Sequence, residues 1–289
     1  MSDTASGLGE ARGEDWQAWV GRRETMRERI APERVAALGA TLGVDDPYPA
    51  GASLPPGWHW IFFNPFVPRQ ALGVDGHPKR GGFLPPVSLP RRMWAGGRLT
   101  YDKALTVGAE GVRESTIKKV EAKSGRSGRL VFVSVAHTIA CDGVTCIVED
   151  QDLVYREAAP PGANATVAPS APDDATWSAE VRPDTVLLFR YSALTSNGHR
   201  IHYDQRYARE EENYPDLVVH GPLTATLLQA FAIKYAGRAL RTFEFRSTSP
   251  LFVTSPFKLA GKAVDEAGSL DLWASGPGGE MTMRARAQF

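Results

Sequence analysis

The sequence is poor in cysteine and carries no excess charge. Its 289 residues include only Cys141 and Cys146, which do not form a CxxC pair, so a disulfide framework and a cysteine-rich zinc site are excluded. Lys and Arg (33) balance Asp and Glu (33), which argues against nucleic-acid binding through bulk charge. No apolar run approaches the ~20 residues that span a bilayer, and the first residues lack the apolar core of a signal peptide. We therefore expect a cytoplasmic protein without nucleic-acid or membrane partners.

Length and composition indicate a globular chain with two domains. Hydrophobic residues make up 43% of the chain and charged residues 23%, as in ordinary folded proteins, and 289 residues suit two domains of roughly 130–150 residues each. Residues 157–184 are rich in Ala, Pro and small polar residues and show no helical or strand period. We predict a linker there, between domains at 13–156 and 185–289.

The first half is predicted to contain helix, then an irregular region, then antiparallel strands. A helical stretch begins at Asp15-Trp16, and a second helix ends at the glycine stop Gly43. Ten prolines between residues 47 and 97 exclude a long helix there. Alternating apolar residues from Val131 to Ile139, followed by Asp142-Gly143, predict a β-hairpin.

The second half is predicted to contain one buried helix and several strands. Residues Val186–Tyr191 are apolar and read as a strand, whereas Leu223–Tyr235 are almost all apolar or small and read as a helix buried on all sides. Four further strands are predicted at residues 242–247, 257–264, 269–275 and 280–288. A helix wrapped by an antiparallel sheet is an α+β pattern.

The densest group of polar side chains lies in residues 190–204, which include two histidines, an Asn and an Asp. Polar loops beside a buried scaffold often carry function, although a hydrogen-bonded loop without chemistry has the same composition. His199 and His202 form an HxxH pair, but zinc sites of this kind use i,i+4 histidines on a helix or add ligands at known spacing. We therefore predict no metal site.

The start of the predicted helix, His220-Gly221-Pro222, is a second candidate. Free N–H groups at a helix N-terminus can hold an oxygen that gains negative charge. Pro222 has no N–H, so the donor would be Gly221 or a residue from Leu223 onward. A simple helix start is the alternative interpretation.

Two stretches stand out in the first half. One is Asp75-Gly76-His77-Pro78, and the other contains the adjacent arginines Arg91 and Arg92 close to Trp94. The planar fork of an arginine suits a carboxylate or phosphate, although a solvated basic pair is the commoner explanation. His137 lies on an apolar strand face and reads as a hydrogen-bonded core histidine.

The loop and helix motifs of the second half together resemble the MaoC-like hot-dog hydratases and dehydratases. Their loop reads, loosely, small-Gly-Asp-x-Asn-Pro-Ile-His-x-Asp, and His-Gly at the start of the central helix follows; residues 195–204 and His220-Gly221 lie over these motifs. In the first half GGFLPP, LPRRMWAGG and GRSGRLVFV resemble the partner domain of the two-domain dehydratases. Over residues 13–289 the chain is similar to the mesaconyl-CoA or itaconyl-CoA hydratase subgroup.

The chain departs from the family pattern at two places. Asn197 stands where the family has its catalytic Asp, and His199-Arg200 replace Asn-Pro. An amide cannot act as a general base, so Asn197 can only orient water. His202 then carries most of the proton transfer, or Asp204 or a carboxylate from the first half supplies the base.

The resemblance implies a hydro-lyase built from two hot-dog domains, with the helix of the first domain broken or short. The expected reaction is reversible addition of water across the C=C bond of an α,β-unsaturated acyl-CoA, without a cofactor, by a chain that can form a homodimer. A short branched dicarboxylyl-CoA is the expected substrate; a 3-hydroxyacyl-thioester dehydratase of fatty-acid synthesis and an inactive acyl-CoA-binding protein are the alternatives. The expected catalytic residues are His202, Asn197 and Asp204, and the expected substrate-binding residues are Gly221, His220, His199, Arg200, Arg92 and Arg190, with Arg91 as a further candidate for the carboxylate.

Overall fold

The computed structural model describes residues 16–45, 48–125, 128–158, 168–264 and 268–289. Within them lie ten strands and four α-helices. The strands are β1 (Arg23–Arg29), β2 (Arg91–Tyr101), β3 (Glu110–Gly125), β4 (Gly128–Cys141), β5 (Val144–Arg156), β6 (Trp177–Val181), β7 (Thr242–Ser247), β8 (Phe257–Ala263), β9 (Leu270–Ser275) and β10 (Met281–Gln288). The helices are α1 (Pro32–Leu42), α2 (Thr185–Leu194), α3 (Gln205–Glu210) and α4 (Gly221–Ala236).

The ten strands form one antiparallel sheet with the order β1-β3-β4-β5-β2-β7-β10-β9-β8-β6. Counted from its outer edge inward, the first half has the order β1, β3, β4, β5, β2, and the second half has the order β6, β8, β9, β10, β7. In both halves this is the first, third, fourth, fifth and second strand. The halves therefore share one topology, and they join where β2 pairs with β7. This arrangement confirms the predicted α+β class with an antiparallel sheet repeated in two halves.

The first half confirms the glycine stop, the hairpin and the irregular region. Helix α1 ends at Gly43, whose φ of 69° is left-handed, and the turn between β4 and β5 has positive φ at Asp142 and Gly143. Between residues 48 and 90 the regular structure is limited to two short 3-10 helices, Trp58–Ile61 and Arg69–Ala71, and isolated β-bridges at Ser53, Leu72 and Pro78. The longest helix described in this half therefore has 11 residues.

The helix predicted at the start of the chain is wrong, because Arg23–Arg29 form strand β1. A 3-10 turn at Trp16–Trp19 is followed directly by this strand, and the predicted start at Asp15 lies outside the described residues. The sequence of β1, RETMRER, has no apolar alternation, because the strand lies at the edge of the sheet and alternates only between half-buried and exposed positions.

Helix α4 confirms the predicted central helix. It begins after His220 and ends at Gly237 with φ 63°, and eight of its 16 residues are buried. Ala230 and Lys234 are the exceptions to the predicted burial, since both are exposed. The helix contacts β7, β8, β9 and β10, and these strands match their predicted bounds to within one residue at each end.

Two predictions for the middle of the chain need correction. Residues Val186–Tyr191 belong to helix α2, because Asp184 caps it by accepting a hydrogen bond from Leu187 N–H at 2.7 Å. The segment 157–184 is not free of regular structure, since β6 pairs with β8; residues 159–167 of it lie outside the described residues. The domain bounds themselves stay a prediction.

In the described parts of the chain, no helix is long and apolar enough to cross a membrane.

Candidate active site

His202 lies in a 3-10 turn between α2 and α3 and is 7% exposed. Its Nδ1 is 2.7 Å from the carbonyl oxygen of Val218. Because a carbonyl only accepts hydrogen bonds, Nδ1 carries the proton and Nε2 keeps its lone pair. Burial lowers the pKa of His202 to about 4, so the imidazole is neutral at pH 7 and can accept a proton at Nε2.

His220 holds the ring of His202 in place by stacking on it. The two ring centroids are 3.6 Å apart with an interplanar angle of 18°, and Nε2 of His220 lies 2.8 Å from the hydroxyl of Ser192. His220 is fully buried, and this burial holds its pKa well below the ordinary value. A neutral, packed His220 therefore orients His202 and places it against the start of α4.

The first turn of α4 offers unpaired N–H groups beside this histidine pair. The first hydrogen bond of the helix runs from Thr224 N–H to the His220 carbonyl at 3.1 Å, so the N–H groups of Gly221 and Leu223 precede it. A Cβ built on Gly221 would meet only the Ser247 hydroxyl, at 3.7 Å. A ligand oxygen can therefore approach this positive helix end.

Asn197 organises the loop that precedes His202. Its side-chain oxygen accepts a hydrogen bond from the backbone N–H of His199 at 3.0 Å, and its own N–H donates to the Ser192 carbonyl at 2.9 Å. The ring of His199 then meets His202 edge-on, with centroids 5.6 Å apart. The role of Asn197 in orienting water stays a prediction.

Asp204 and Arg200 are occupied by each other and by α3. Asp204 caps α3 by accepting from Tyr207 N–H at 3.0 Å, and it pairs with Arg200 at 2.8 Å. The cap bond and this arginine hold the pKa of Asp204 below its usual value. Arg200 also donates to the Val74 carbonyl at 3.1 Å and lies over the Tyr207 ring. The geometry thus favours structural roles for both side chains over the predicted base and substrate contact.

A loop from the first half reaches the site, and its role was missed in the sequence. Gly76, with φ +87°, lies so close to Gly198 that a Cβ on either residue would overlap the carbonyl oxygen of the other. Arg200 N–H donates to the Asp75 carbonyl at 2.9 Å. This contact brings His77 against His199, with ring centroids 4.2 Å apart. The segment Asp75-Gly76-His77 stood out in the sequence, but the sequence alone gave no reason to assign it a function.

Asp75 and His77 form a hydrogen-bonded pair. Asp75 Oδ2 is 3.3 Å from His77 Nδ1, and Asp75 Oδ1 accepts from the His77 backbone N–H at 3.0 Å. These contacts hold the pKa of Asp75 far below its usual value despite partial burial. One donor atom each from Asp75, His77 and His199 fits within 4.8 Å, a spacing that a metal ion could bridge, but the hydrogen bond between Asp75 and His77 is the geometry of an acid–base pair.

A cleft of about 1020 Å³ opens beside His77 and Arg92, between residues 73–92 of the first half and the α3 region of the second. Arg91 is 7% exposed and pairs with Glu212 at 2.9 Å, so its positive charge is already neutralised by a carboxylate of the protein. Arg92 is half-buried and forms no ion pair with a carboxylate of the described residues, yet it lies close enough to lower the pKa of His77. The cations along the cleft are Lys79, Arg80, Arg91, Arg92, Arg200 and Arg206.

Arg190 lies elsewhere. Its guanidinium donates to the Ala40 carbonyl of α1 at 3.4 Å, and it is not among the described residues that line the cleft. This position disfavours the predicted substrate contact.

Comparisons with known proteins show what this chain is similar to. Residues 57–253 match the family hydroxyacyl-thioester dehydratase type 2. The chain is 44% identical over 276 residues to mesaconyl-C(4)-CoA hydratase of Chloroflexus aurantiacus, covering 95% of this chain and 98% of that one.

Solved structures share the fold at low identity. One is a MaoC-like dehydratase from Phytophthora capsici, with 11% identity and a TM-score of 0.67 over 93% of this chain and 95% of that one. Another is a conserved protein of Mycobacterium tuberculosis described as a double hotdog, with 12% identity and a TM-score of 0.57 over 93% and 95%. The chain therefore has the double hot-dog fold that its strand order indicates.

Proposed function

Because the chain belongs to the hydroxyacyl-thioester dehydratase type 2 family, we propose that it is a hydro-lyase that reversibly adds water across the C=C bond of an α,β-unsaturated acyl-CoA. One observation carries this proposal. The neutral His202 uses Nδ1 for its hydrogen bond to Val218, which leaves Nε2 available, and it lies beside the unpaired N–H groups at the start of α4. Hydration needs both features, since water must lose a proton while the thioester oxygen gains charge.

The reaction proceeds by attack of water on Cβ. As the water oxygen attacks Cβ, one water proton passes to an imidazole of the site, while His202 Nε2 holds the water by accepting a hydrogen bond from it. The C=C electrons move to the thioester carbonyl, whose oxygen is stabilised by Gly221 N–H and the helix dipole, a contribution of ~3–4 kcal/mol in comparable sites. The imidazolium then donates that proton to Cα of the enolate and becomes neutral again, which completes the addition of H and OH. Dehydration follows the same steps in reverse.

The substrate we propose is a short branched dicarboxylyl-CoA. Its free carboxylate needs a cation, because an unpaired buried charge destabilises a complex by several kcal/mol. Arg92 meets this need, since it lines the cleft and its guanidinium can bind a carboxylate with two hydrogen bonds. The relative that is 44% identical is a mesaconyl-C(4)-CoA hydratase, which supports this substrate class.

The first experiment measures kcat/KM on mesaconyl-CoA, itaconyl-CoA, crotonyl-CoA and a long straight enoyl-CoA, by the ultraviolet absorbance of the conjugated thioester. We expect the dicarboxylyl-CoA substrates to be preferred. Preference for crotonyl-CoA or the long enoyl-CoA would indicate the alternative, a 3-hydroxyacyl-thioester dehydratase of fatty-acid synthesis. Binding without turnover of any substrate would indicate an inactive acyl-CoA-binding protein.

The second experiment tests Arg92. Arg92→Lys and Arg92→Met should lower kcat/KM for the dicarboxylyl-CoA ~10- to 100-fold, the effect of losing 1.5–3 kcal/mol from a charged hydrogen bond. Crotonyl-CoA, which has no second carboxylate, should be spared. Arg190→Lys is the matched control, because Arg190 contacts α1 and is not among the described residues that line the cleft. An equal loss on both substrates would assign Arg92 to a general role in the cleft.

Cytoplasmic location and a homodimer remain predictions from the sequence. Size-exclusion chromatography with light scattering tests the second of them directly.

A further inference from the structure

Neither acidic position of the loop motif supplies a free carboxylate beside His202. Asn197 is an amide, and Asp204 is committed to α3 and Arg200. His202 alone is a weak base, because burial lowers its pKa to about 4, whereas general-base catalysis is most efficient when the pKa lies near the working pH. A second imidazole supported by a carboxylate would assist it, because the carboxylate stabilises the imidazolium that forms.

The first half brings an Asp–His pair to this place. The contact between Gly76 and Gly198 leaves no room for a Cβ on either residue, so the two loops approach as closely as backbone allows. The hydrogen bond from Arg200 N–H to the Asp75 carbonyl fixes the register of the contact. Such an approach between segments far apart in the chain places one loop's side chains in the other loop's site.

The pair has the orientation of a base and its supporting carboxylate. Asp75 Oδ2 faces Nδ1 of His77 at 3.3 Å, so Nδ1 carries the proton and Nε2 is left to accept another. His77 lines the cleft, and its ring packs on His199, which in turn contacts His202. A carboxylate beside an imidazole stabilises the imidazolium that forms when a proton arrives.

We propose that His77, oriented by Asp75, is the second proton acceptor of this site and takes the place of the aspartate that Asn197 replaces. This proposal rests on the hydratase function proposed above. The attacking water donates one hydrogen bond to His202 Nε2 and the other to His77 Nε2. As the oxygen bonds to Cβ, the second O–H bond breaks and its proton passes to His77. His77 then returns that proton to Cα of the enolate, so no co-reactant is consumed.

The charges around His77 define a pH signature. Burial, Arg92 and Arg80 lower the pKa of His77, whereas Asp75 raises it, and the neighbouring His199 and His202 are held neutral by burial. His77 must be neutral to act as a base, so activity falls as the pH drops through its pKa. Removal of the Asp75 charge lowers that pKa further and moves the acidic limb of kcat/KM to lower pH.

The test compares His77→Gln, Asp75→Asn and Asp75→Glu with wild type on the best enoyl-CoA substrate. We expect His77→Gln to lower kcat at least ~100-fold with KM nearly unchanged. Asp75→Asn should lower kcat less and shift the acidic limb downward, and Asp75→Glu should recover part of the activity. The matched control is His137→Gln, because His137 is also a first-half imidazole but is hydrogen-bonded to Ser115 at 2.8 Å and lies outside the cleft.

Two outcomes overturn the proposal while leaving the hydratase function intact. Wild-type kcat in a folded His77→Gln variant would show that His77 holds no essential proton. Loss of wild-type activity in EDTA, with recovery on added Zn²⁺ and Zn²⁺ binding abolished by His77→Gln, would assign the cluster to a metal ion. Failure of the hydratase function is distinct, since wild type would then hydrate none of the enoyl-CoA substrates.

Discussion

The two halves of the molecule share a strand order but differ in what lies between their first and second strands. The first half has the 11-residue α1 and an irregular stretch over residues 48–90, whereas the second half has three helices that end with the 16-residue α4. Among the residues that the structure describes, only the second half therefore has a long helix whose N-terminus can stabilise an oxyanion. Between its first and second strands the first half instead carries the loop with His77, which together with Arg92 of β2 lines the cleft.

Buried histidines alone do not distinguish the halves. In the first half, His59 Nε2 lies 3.2 Å from the buried carboxylate of Glu149, and His137 is bonded to Ser115. None of these three titratable side chains is among the described residues that line the cleft. His77 is a catalytic candidate because it lines the cleft, and His202 because it stacks on His220 at the start of α4.

The largest expected effect separates His202 from His137, a buried imidazole of the first half that lies outside the cleft lining. His202→Ala or His202→Gln should lower kcat at least ~100-fold, the usual span for loss of a general acid–base group, without unfolding the protein. His137→Gln should leave kcat unchanged when both variants are assayed at a temperature where circular dichroism shows them folded. Near-normal turnover in either His202 variant would contradict the assignment.

A smaller effect tests the contact between the halves. Gly76→Ala should lower kcat by ~10- to 100-fold, because displacement of a catalytic loop by about 1 Å has effects of that size. Gly143→Ala is the matched control, since Gly143 has a similar positive φ of 75° but no atom within 4 Å of the added Cβ. It should lower the free energy of unfolding by ~1–2 kcal/mol and leave kcat intact. Equal kinetics in the two variants would show that the loop contact is dispensable.

The smallest expected effect concerns Asn197. Asn197→Ala removes the acceptor of the His199 N–H bond and should lower kcat by only ~2- to 10-fold, since a neutral hydrogen bond contributes about 0.5–1.5 kcal/mol. Asn197→Asp keeps that acceptor and should retain or raise activity. An inactive but folded Asn197→Asp variant would instead mean that the amide acts as a hydrogen-bond donor.

Local patterns predicted the second half better than the first. The strands after α4 have apolar alternation and clear turns, and their bounds were found to within one residue. Strand β1 was not predicted, because this edge strand has a polar sequence without the apolar alternation that indicates a strand. Helix α2 was misread because its apolar run hides a helical spacing: Leu188, Tyr191 and Ser192 are buried, while Val186 and Phe189 are exposed.

The site was predictable only where its residues are close in sequence. The loop motif ending at His202 and the His220-Gly221 helix start could be recognised as short patterns. The stacking of His202 on His220 and the approach of His77 to His199 depend on tertiary contacts that no local pattern encodes. Asp204 was predicted as a candidate base from its place in the family motif. Its spacing to Tyr207 is that of a helix cap, and this local signal was not used.

The pairing of β2 with β7 also bears on how the chain can be divided. Gly96 faces Arg246 across this junction, and a Cβ on Gly96 would overlap the backbone oxygen of Phe245, so the two strands are fitted to each other. If the halves were expressed separately, each would present a bare strand edge with unsatisfied N–H and C=O groups, which promotes aggregation. Because the partners are so distant in the chain, this junction should also form late during folding. Covalent linkage of the halves thus protects the newly made chain from self-association as well as completing the sheet.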